Sequence, residues 1–164
     1  VNKACALLPA VRAAMKAHPS VASVQEAACR AVDVLTAQPK ARAAVSSTRL
    51  LASIQSAMKL HRRVASLQEA ACSAISNSVL DCVATQEQAA RLGLTEDIAA
   101  AAAAHPTAPK VVDRSRTALE RLSAAPPAAG GATSSPPSSR NDEAGDGDES
   151  EDESQEEDEE DADT

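Results

Sequence analysis

Apolar residues recur at spacings of three and four along the first part of the chain, the spacing that places side chains on one face of a helix. The first apolar stripe extends from Leu7 to Met15, and the second from Val21 to Leu35. The pair His18-Pro19 separates them, because the residue before a proline avoids the helical region. The pattern predicts two helices joined by a short turn, with Ser20 capping the second helix.

The same pattern returns 43 residues later. Residues 15–29 read MKAHPSVASVQEAAC, and residues 58–72 read MKLHRRVASLQEAAC. A weaker third copy places Ile98 44 residues after Ile54, with Thr95 as its predicted cap. A fixed period in the low forties is typical of stacked helical repeats, in which each unit buries its apolar face against the next. We therefore predict an all-α solenoid.

The ends of the repeats and the segments after them follow from composition. Paired prolines and glycines after residue 123 cannot sustain a helix, and the last 24 residues have almost no apolar side chain to offset the entropy of ordering. We predict repeats at about 5–46, 47–90 and 91–123 within a body of residues 1–123, a linker at 124–140 and a disordered acidic tail at 141–164.

Charge divides the chain in the same way. All sixteen basic residues lie within residues 1–140, where only nine acidic residues occur, so this segment has a net charge of +7. The other fifteen acidic residues fall between Asp142 and Asp163. Ser150 and Ser154 each have an acidic residue three positions later, as in the sites of acidophilic kinases. We predict that both serines are phosphorylated, which would deepen the negative charge.

The residue types limit the chemistry and the compartment. Four cysteines without a Cys-x-x-Cys pair suit a cytoplasmic or nuclear protein, and no apolar run is long enough to cross a membrane. The first residue is Val1, so we expect the natural start to lie upstream and the chain to be the C-terminal piece of a longer repeat protein. Its upstream face, around Leu7, Leu8 and Val11, should then look unfinished.

The cysteines and histidines that occupy matching repeat positions have simple structural explanations. Cys29 and Cys72 act as small buried side chains, and His18, His61 and His105 as turn residues at helix ends. No catalytic set or glycine-rich phosphate loop occurs, and aromatic residues for stacking on bases are absent. We expect no enzyme activity, no metal and no cofactor, and nucleic acid is a poor candidate for the partner.

One short helix followed by two longer ones, within about 42 residues, resembles the armadillo repeat family. The resemblance is carried by residues 25–35, QEAACRAVDVL, and residues 68–78, QEAACSAISNS, which are similar to the family's final helix. The form Met-Lys-x-His followed by Gln-Glu-Ala-Ala-Cys is similar to a subset of protist armadillo repeats and to the armadillo region of large leucine-rich-repeat kinases. HEAT repeats, with two helices, are the near neighbour.

The resemblance implies a right-handed solenoid whose concave face, lined by the final helices, binds another protein. Many armadillo proteins bind extended peptides through asparagines and tryptophans of that helix. Here the asparagine position holds Val34, Asn77 and Arg121, and the tryptophan position holds Asp33, Ser76 and Glu120. Capture of basic localisation peptides is therefore not expected. These six residues, with Arg30 and Ser73, are the predicted partner-binding residues.

The leading functional hypothesis is a non-enzymatic scaffold for a protein partner. The runner-up is a chaperone or chromatin-associated factor that binds basic proteins such as histones through the acidic tail. A third hypothesis is a regulatory arm of a multidomain enzyme whose catalytic part lies outside this sequence.

Overall fold

Helices account for every regular element in residues 3–124, the part of the chain that this computed structural model describes. No strand occurs among these residues, so the all-α prediction is confirmed for them. The helices are α1 (Lys3–Ala17), α2 (Ala22–Leu35), α3 (Pro39–Ser47), α4 (Leu50–Leu60), α5 (Ala65–Val79), α6 (Val83–Leu92), α7 (Leu94–Ala104) and α8 (Pro109–Ser123). None of these helices is long and apolar enough to cross a membrane.

The helices fall into three rows of equivalent members. The final helices α2, α5 and α8 contact one another in that order and make the most extensive contacts. The middle helices α1, α4 and α7 form a second row, and the short helices α3 and α6 contact each other. Helices about 43 residues apart in sequence are therefore neighbours, as the repeat predicts.

Helix α5 shows how closely the rows pack. Every residue from Ala70 to Ser76 is buried, on all sides of the helix, because α5 packs against α2 and α8 and also contacts α3, α4 and α6. Small side chains allow the neighbouring helices to come close to α5. Among them are Ala71 and Cys72, neither of which has any exposed surface. The largest fully buried side chains are Leu8, Leu50, Leu51, Ile54, Leu67, Ile75, Leu94 and Ile98.

The turn inside each of the first two units is held by a buried glutamine. Gln25 Nε2 donates to the carbonyl oxygens of Met15 and His18, both at 2.8 Å. Gln68 Nε2 makes the equivalent bonds to Met58, at 3.0 Å, and His61, at 3.1 Å. These carbonyls lie in the last turn of the preceding helix and just after it, where the intrahelical hydrogen bonds end. One side chain thus fixes the angle between middle and final helix.

A histidine joins each unit to the turn of the unit before it. His61 Nε2 lies 2.8 Å from the carbonyl oxygen of Pro19, and His105 Nε2 lies 2.8 Å from that of Arg62. Since a carbonyl can only accept, Nε2 carries the proton in both rings. Both histidines lie at helix ends, as predicted, and each also forms a bond between units that the sequence pattern does not predict.

Two predicted helix caps are wrong. Helix α2 begins after Val21 rather than Ser20, and α7 begins after Gly93, which leaves Thr95 inside the helix. In the first case the Val21 N–H bonds to the His18 carbonyl, so the turn includes Ser20. In the second, Gly93 adopts a left-handed conformation with a φ of 68°, and α7 begins directly after it, before Thr95.

The predicted open face around the start of α1 is only partly found. Leu7 is 52% exposed and Val11 is half-buried, whereas Leu8 has no exposed surface because α1 packs against α2, α3 and α4. The predicted tail at 141–164, including Ser150 and Ser154, lies outside the described residues, as does the linker beyond residue 124. The predicted repeat boundaries stay a prediction.

The residue before each of the helices α4 and α7 lies in the left-handed region. Gly93 precedes α7 with a φ of 68°, and Arg49 occupies the equivalent position before α4 with a φ of 55°. A residue with a Cβ is strained there by about 1–2 kcal/mol, and glycine is not. Arg49 therefore costs backbone energy that the next unit avoids.

We predict that Arg49→Gly raises the free energy of unfolding by about 0.5–1 kcal/mol, because relief of this strain exceeds the greater entropy of an unfolded glycine. Urea denaturation followed by circular dichroism measures the change. Arg63→Gly is the matched control, since Arg63 is exposed, lies outside the helices and has a negative φ. A gain in the control equal to that at Arg49 would contradict the explanation.

Candidate functional site

The predicted partner-binding residues all lie on the final helices, which we call the final-helix row. Their exposure differs widely. Arg30, Val34 and Glu120 are exposed, with Val34 at 73%. Asp33, Asn77 and Arg121 are half-buried, and Ser73 and Ser76 are buried. The last two cannot meet a partner directly in this conformation.

A ladder of hydrogen bonds crosses the final-helix row. Asp33 Oδ1 on α2 accepts a bond from Ser73 Oγ at 3.0 Å and one from Asn77 Nδ2 at 2.6 Å, both from α5. Asn77 Oδ1 in turn accepts a bond from Arg121 on α8 at 2.8 Å. Four of the predicted residues are therefore brought together, across sequence separations of 40 to 44 positions.

Asn77 is the centre of this ladder. Its amide nitrogen must face the Asp33 carboxylate and its amide oxygen must face the Arg121 guanidinium, because only this orientation pairs each donor with an acceptor. The asparagine that matches the armadillo pattern thus bonds to both of its neighbours. A partner that uses Asn77 meets the amide in the orientation that these two bonds fix.

A second polar cluster lies nearer the beginning of α2. Glu26 accepts a bond from Ser66 on α5 at 2.6 Å and forms an ion pair with Arg30 at 2.9 Å. The hydrogen bond from Ser66, with a smaller contribution from Arg30, lowers the pKa of Glu26, although partial burial opposes the shift. No pattern in the sequence predicts this contact, which joins residues 40 positions apart. Glu26 stays ionised at neutral pH.

Two buried thiols lie beneath the row. Burial, aided by the nearby Cys72 and Glu26, raises the pKa of Cys29 to about 12. Burial also raises the pKa of Cys72, although its contact with Ser115 Oγ at 3.4 Å opposes the shift. All four cysteines of the chain are free. Cys29 and Cys72 thus remain protonated, which agrees with the small-residue interpretation and makes them poor nucleophiles.

The described residues contain no group of three or more histidine, cysteine or acidic side chains placed to hold a metal ion. Asp33 accepts two hydrogen bonds and Glu26 three, so both carboxylates are held by neighbouring side chains. The final-helix row instead presents a surface whose interior side chains are held by the ladder of hydrogen bonds. At the edge of this surface, the charged side chains of Arg30 and Glu120 and the apolar side chain of Val34 are exposed.

The chain matches no protein-family model, no curated protein sequence and no solved structure.

The Cys29 environment predicts a loss of stability at alkaline pH. An ordinary thiol ionises near pH 9.0, whereas folded Cys29 holds its proton to about pH 12. Stability from this thiol is complete below pH 9.0 and falls as the pH rises towards 12, because the unfolded chain loses the proton first. The free energy of unfolding should fall by about 1.4 kcal/mol per pH unit for this group.

Urea unfolding at several pH values within that window measures the slope. In Cys29→Ala the slope should be shallower by the contribution of one thiol, whatever the absolute stability of the variant. An unchanged slope in Cys29→Ala would show that the thiol is not responsible.

Proposed function

We propose that this chain is a non-enzymatic scaffold that binds another protein through the final-helix row, and that its units are armadillo-like repeats stacked as a right-handed solenoid. The three rows of equivalent helices are the support for the solenoid. In such an array the final helices line the concave side, and a partner meets one side chain from each unit in turn.

The observation that carries the proposal is that the final-helix row contains both side chains that are hydrogen-bonded to one another and side chains that are exposed. The ladder through Asn77 fixes the interior of the surface, while Arg30, Val34 and Glu120 remain exposed beside it. Val34 is the most exposed of the large apolar side chains in the described part of the chain. A rigid polar base with an apolar contact and charges of both signs at its edge suits a protein partner.

Arg30 is available to a partner although it pairs with Glu26. The pair joins residues four positions apart on one helix, and the Arg30 side chain is 59% exposed. Ion pairs of this kind contribute only about 0.3–0.5 kcal/mol. An acidic group on the partner can therefore replace Glu26 at little cost.

The partner is proposed to be a protein in the cytoplasm or nucleus. Four free thiols are typical of a reducing compartment.

A photo-crosslinking amino acid at position 34 tests the assignment. We expect it to capture a defined partner from the cells that express the chain, because Val34 lies at the edge of the proposed surface. The matched control is position 83, also an exposed valine but on the short helix α6. Arg30→Ala should reduce capture at position 34 without altering the helical circular dichroism. Equal capture of the same protein at both positions would refute the proposed surface.

Charge favours a second function, binding of basic proteins by the fifteen acidic residues between Asp142 and Asp163. Deletion of residues 141–164 separates the two functions. A scaffold keeps its crosslink at position 34 after the deletion, and we expect this result. If the crosslink persists only in the full chain, and histones bind the full chain but not the deletion, the acidic-tail function replaces the scaffold.

A further inference from the structure

Two cavities lie between successive middle helices, at equivalent places in the repeat. The upstream cavity, between α1 and α4, has a volume of about 500 Å³, and the downstream cavity, between α4 and α7, about 150 Å³. Each of the eight residues that line the downstream cavity has a counterpart in the wall of the upstream one. Met15, Lys16 and Gln25 line the upstream cavity where Met58, Lys59 and Gln68 line the downstream one.

The downstream cavity contains a carboxylate. Asp97 Oδ2 accepts a hydrogen bond from Gln55 Nε2 at 2.6 Å and lies 3.4 Å from Lys59 Nζ. The Asp97 side chain is 15% exposed, so this contact is shielded from water more than a surface ion pair is. The carboxylate thus joins α7 to two polar side chains of α4.

The upstream cavity has the cations without the carboxylate. Arg12 takes the place of Gln55, Lys16 that of Lys59, and Ser53 that of Asp97. Arg12 Nε is buried and has no hydrogen-bond partner, and no ion pair to Arg12 or Lys16 occurs among the described residues. A buried N–H without an acceptor is costly.

Arg49 adds a third cation to the same cavity. It lines the upstream cavity and also a neighbouring one that shares Arg12. Its strained backbone stands where the next unit has the unstrained Gly93. Strain of this kind concentrates at binding sites, and here it accompanies a basic side chain at the cavity mouth.

We propose that the upstream cavity binds an acidic side chain of a peptide segment, with its carboxylate between Arg12 and Lys16, where Asp97 lies between Gln55 and Lys59. The guanidinium of Arg12 offers paired donors that match a carboxylate. The cavity wall also has apolar side chains, among them Met15, Ala52 and the 60% exposed Leu60, and these receive an aliphatic side chain next to the acid. The volume falls within the range of ligand sites, about 300–1,000 Å³.

This site is separate from the final-helix row, since it lies between middle helices. Its occupant need not be the scaffold's main partner, and the proposal does not depend on that function. A free carboxylate such as acetate would use the cations alone, whereas a peptide would also use the apolar wall.

Titration of the full ¹⁵N-labelled chain, followed by amide chemical shifts, tests the site. The probe is the blocked peptide acetyl-Ala-Glu-Leu-Ala-amide, and the controls are the same peptide with Gln for Glu, and sodium acetate. We expect shifts at Arg12, Lys16 and Ser53, with affinity at least roughly tenfold lower for the Gln peptide and for acetate. Equal affinity for the Glu and Gln peptides would overturn the proposal, and so would shifts confined to other helices.

The repeat supplies matched variants. Ser53→Asp installs the carboxylate that the downstream cavity already has. It should raise the melting temperature by a few degrees and abolish binding of the Glu peptide. Arg12→Gln should leave the fold intact, since Gln55 occupies the equivalent position, and weaken binding of the Glu peptide roughly tenfold. Unaltered peptide affinity in both variants would refute the site, as would a lower melting temperature in Ser53→Asp.

Discussion

Close contact between the final helices is the constraint on which the rest of the structure depends. With no aromatic residue in the chain, the core has to be built from alanine, cysteine, valine, leucine, isoleucine and methionine. Such side chains bury enough surface only when helices approach closely, at roughly 25 cal/mol per Å² of apolar area. Helix α5 achieves this by having a neighbour on both flanks. A single unit has no neighbouring unit against which to bury this apolar surface, so the units stabilise one another.

Close stacking of the units strengthens the hydrogen bonds between them and raises the energetic cost of any polar group left without a partner. A polar group in such an interface must find a partner, since water reaches it poorly. Asp33 and Asn77 meet this requirement across the final-helix row. The histidine rings add further bonds between units at the exposed turns. The ladder also explains why the proposed binding surface is divided into a fixed interior and an exposed edge. The side chains of the ladder hold the units together, and the side chains beside it are exposed.

The repeat itself serves as an internal comparison. Where two units agree, as in the glutamine that holds the turn, the residue has a structural role that both units need. Where equivalent residues of two units differ and the difference does not stabilise the fold, we look for a role in binding. Arg49 against Gly93, and Ser53 against Asp97, are differences of this kind, and both lie at the upstream cavity. A strained arginine and an absent carboxylate in one place are more easily understood as a binding site than as two unrelated defects.

Local periodicity in the sequence was sufficient to predict the helices and their approximate ends. The stripe from Leu7 to Met15 and its copy from Leu50 to Met58 both became helices, because helix formation and one-sided burial are encoded at spacings of three and four. The sequence also identified Cys29 and Cys72 as small buried residues, from their position in the repeat. Only the tertiary structure decided which side chains meet. The contacts of Asp33 with Asn77, of His61 with Pro19 and of Gln55 with Asp97 span 42 to 44 residues, and each depends on how one helix is rotated against the next, which no local pattern specifies.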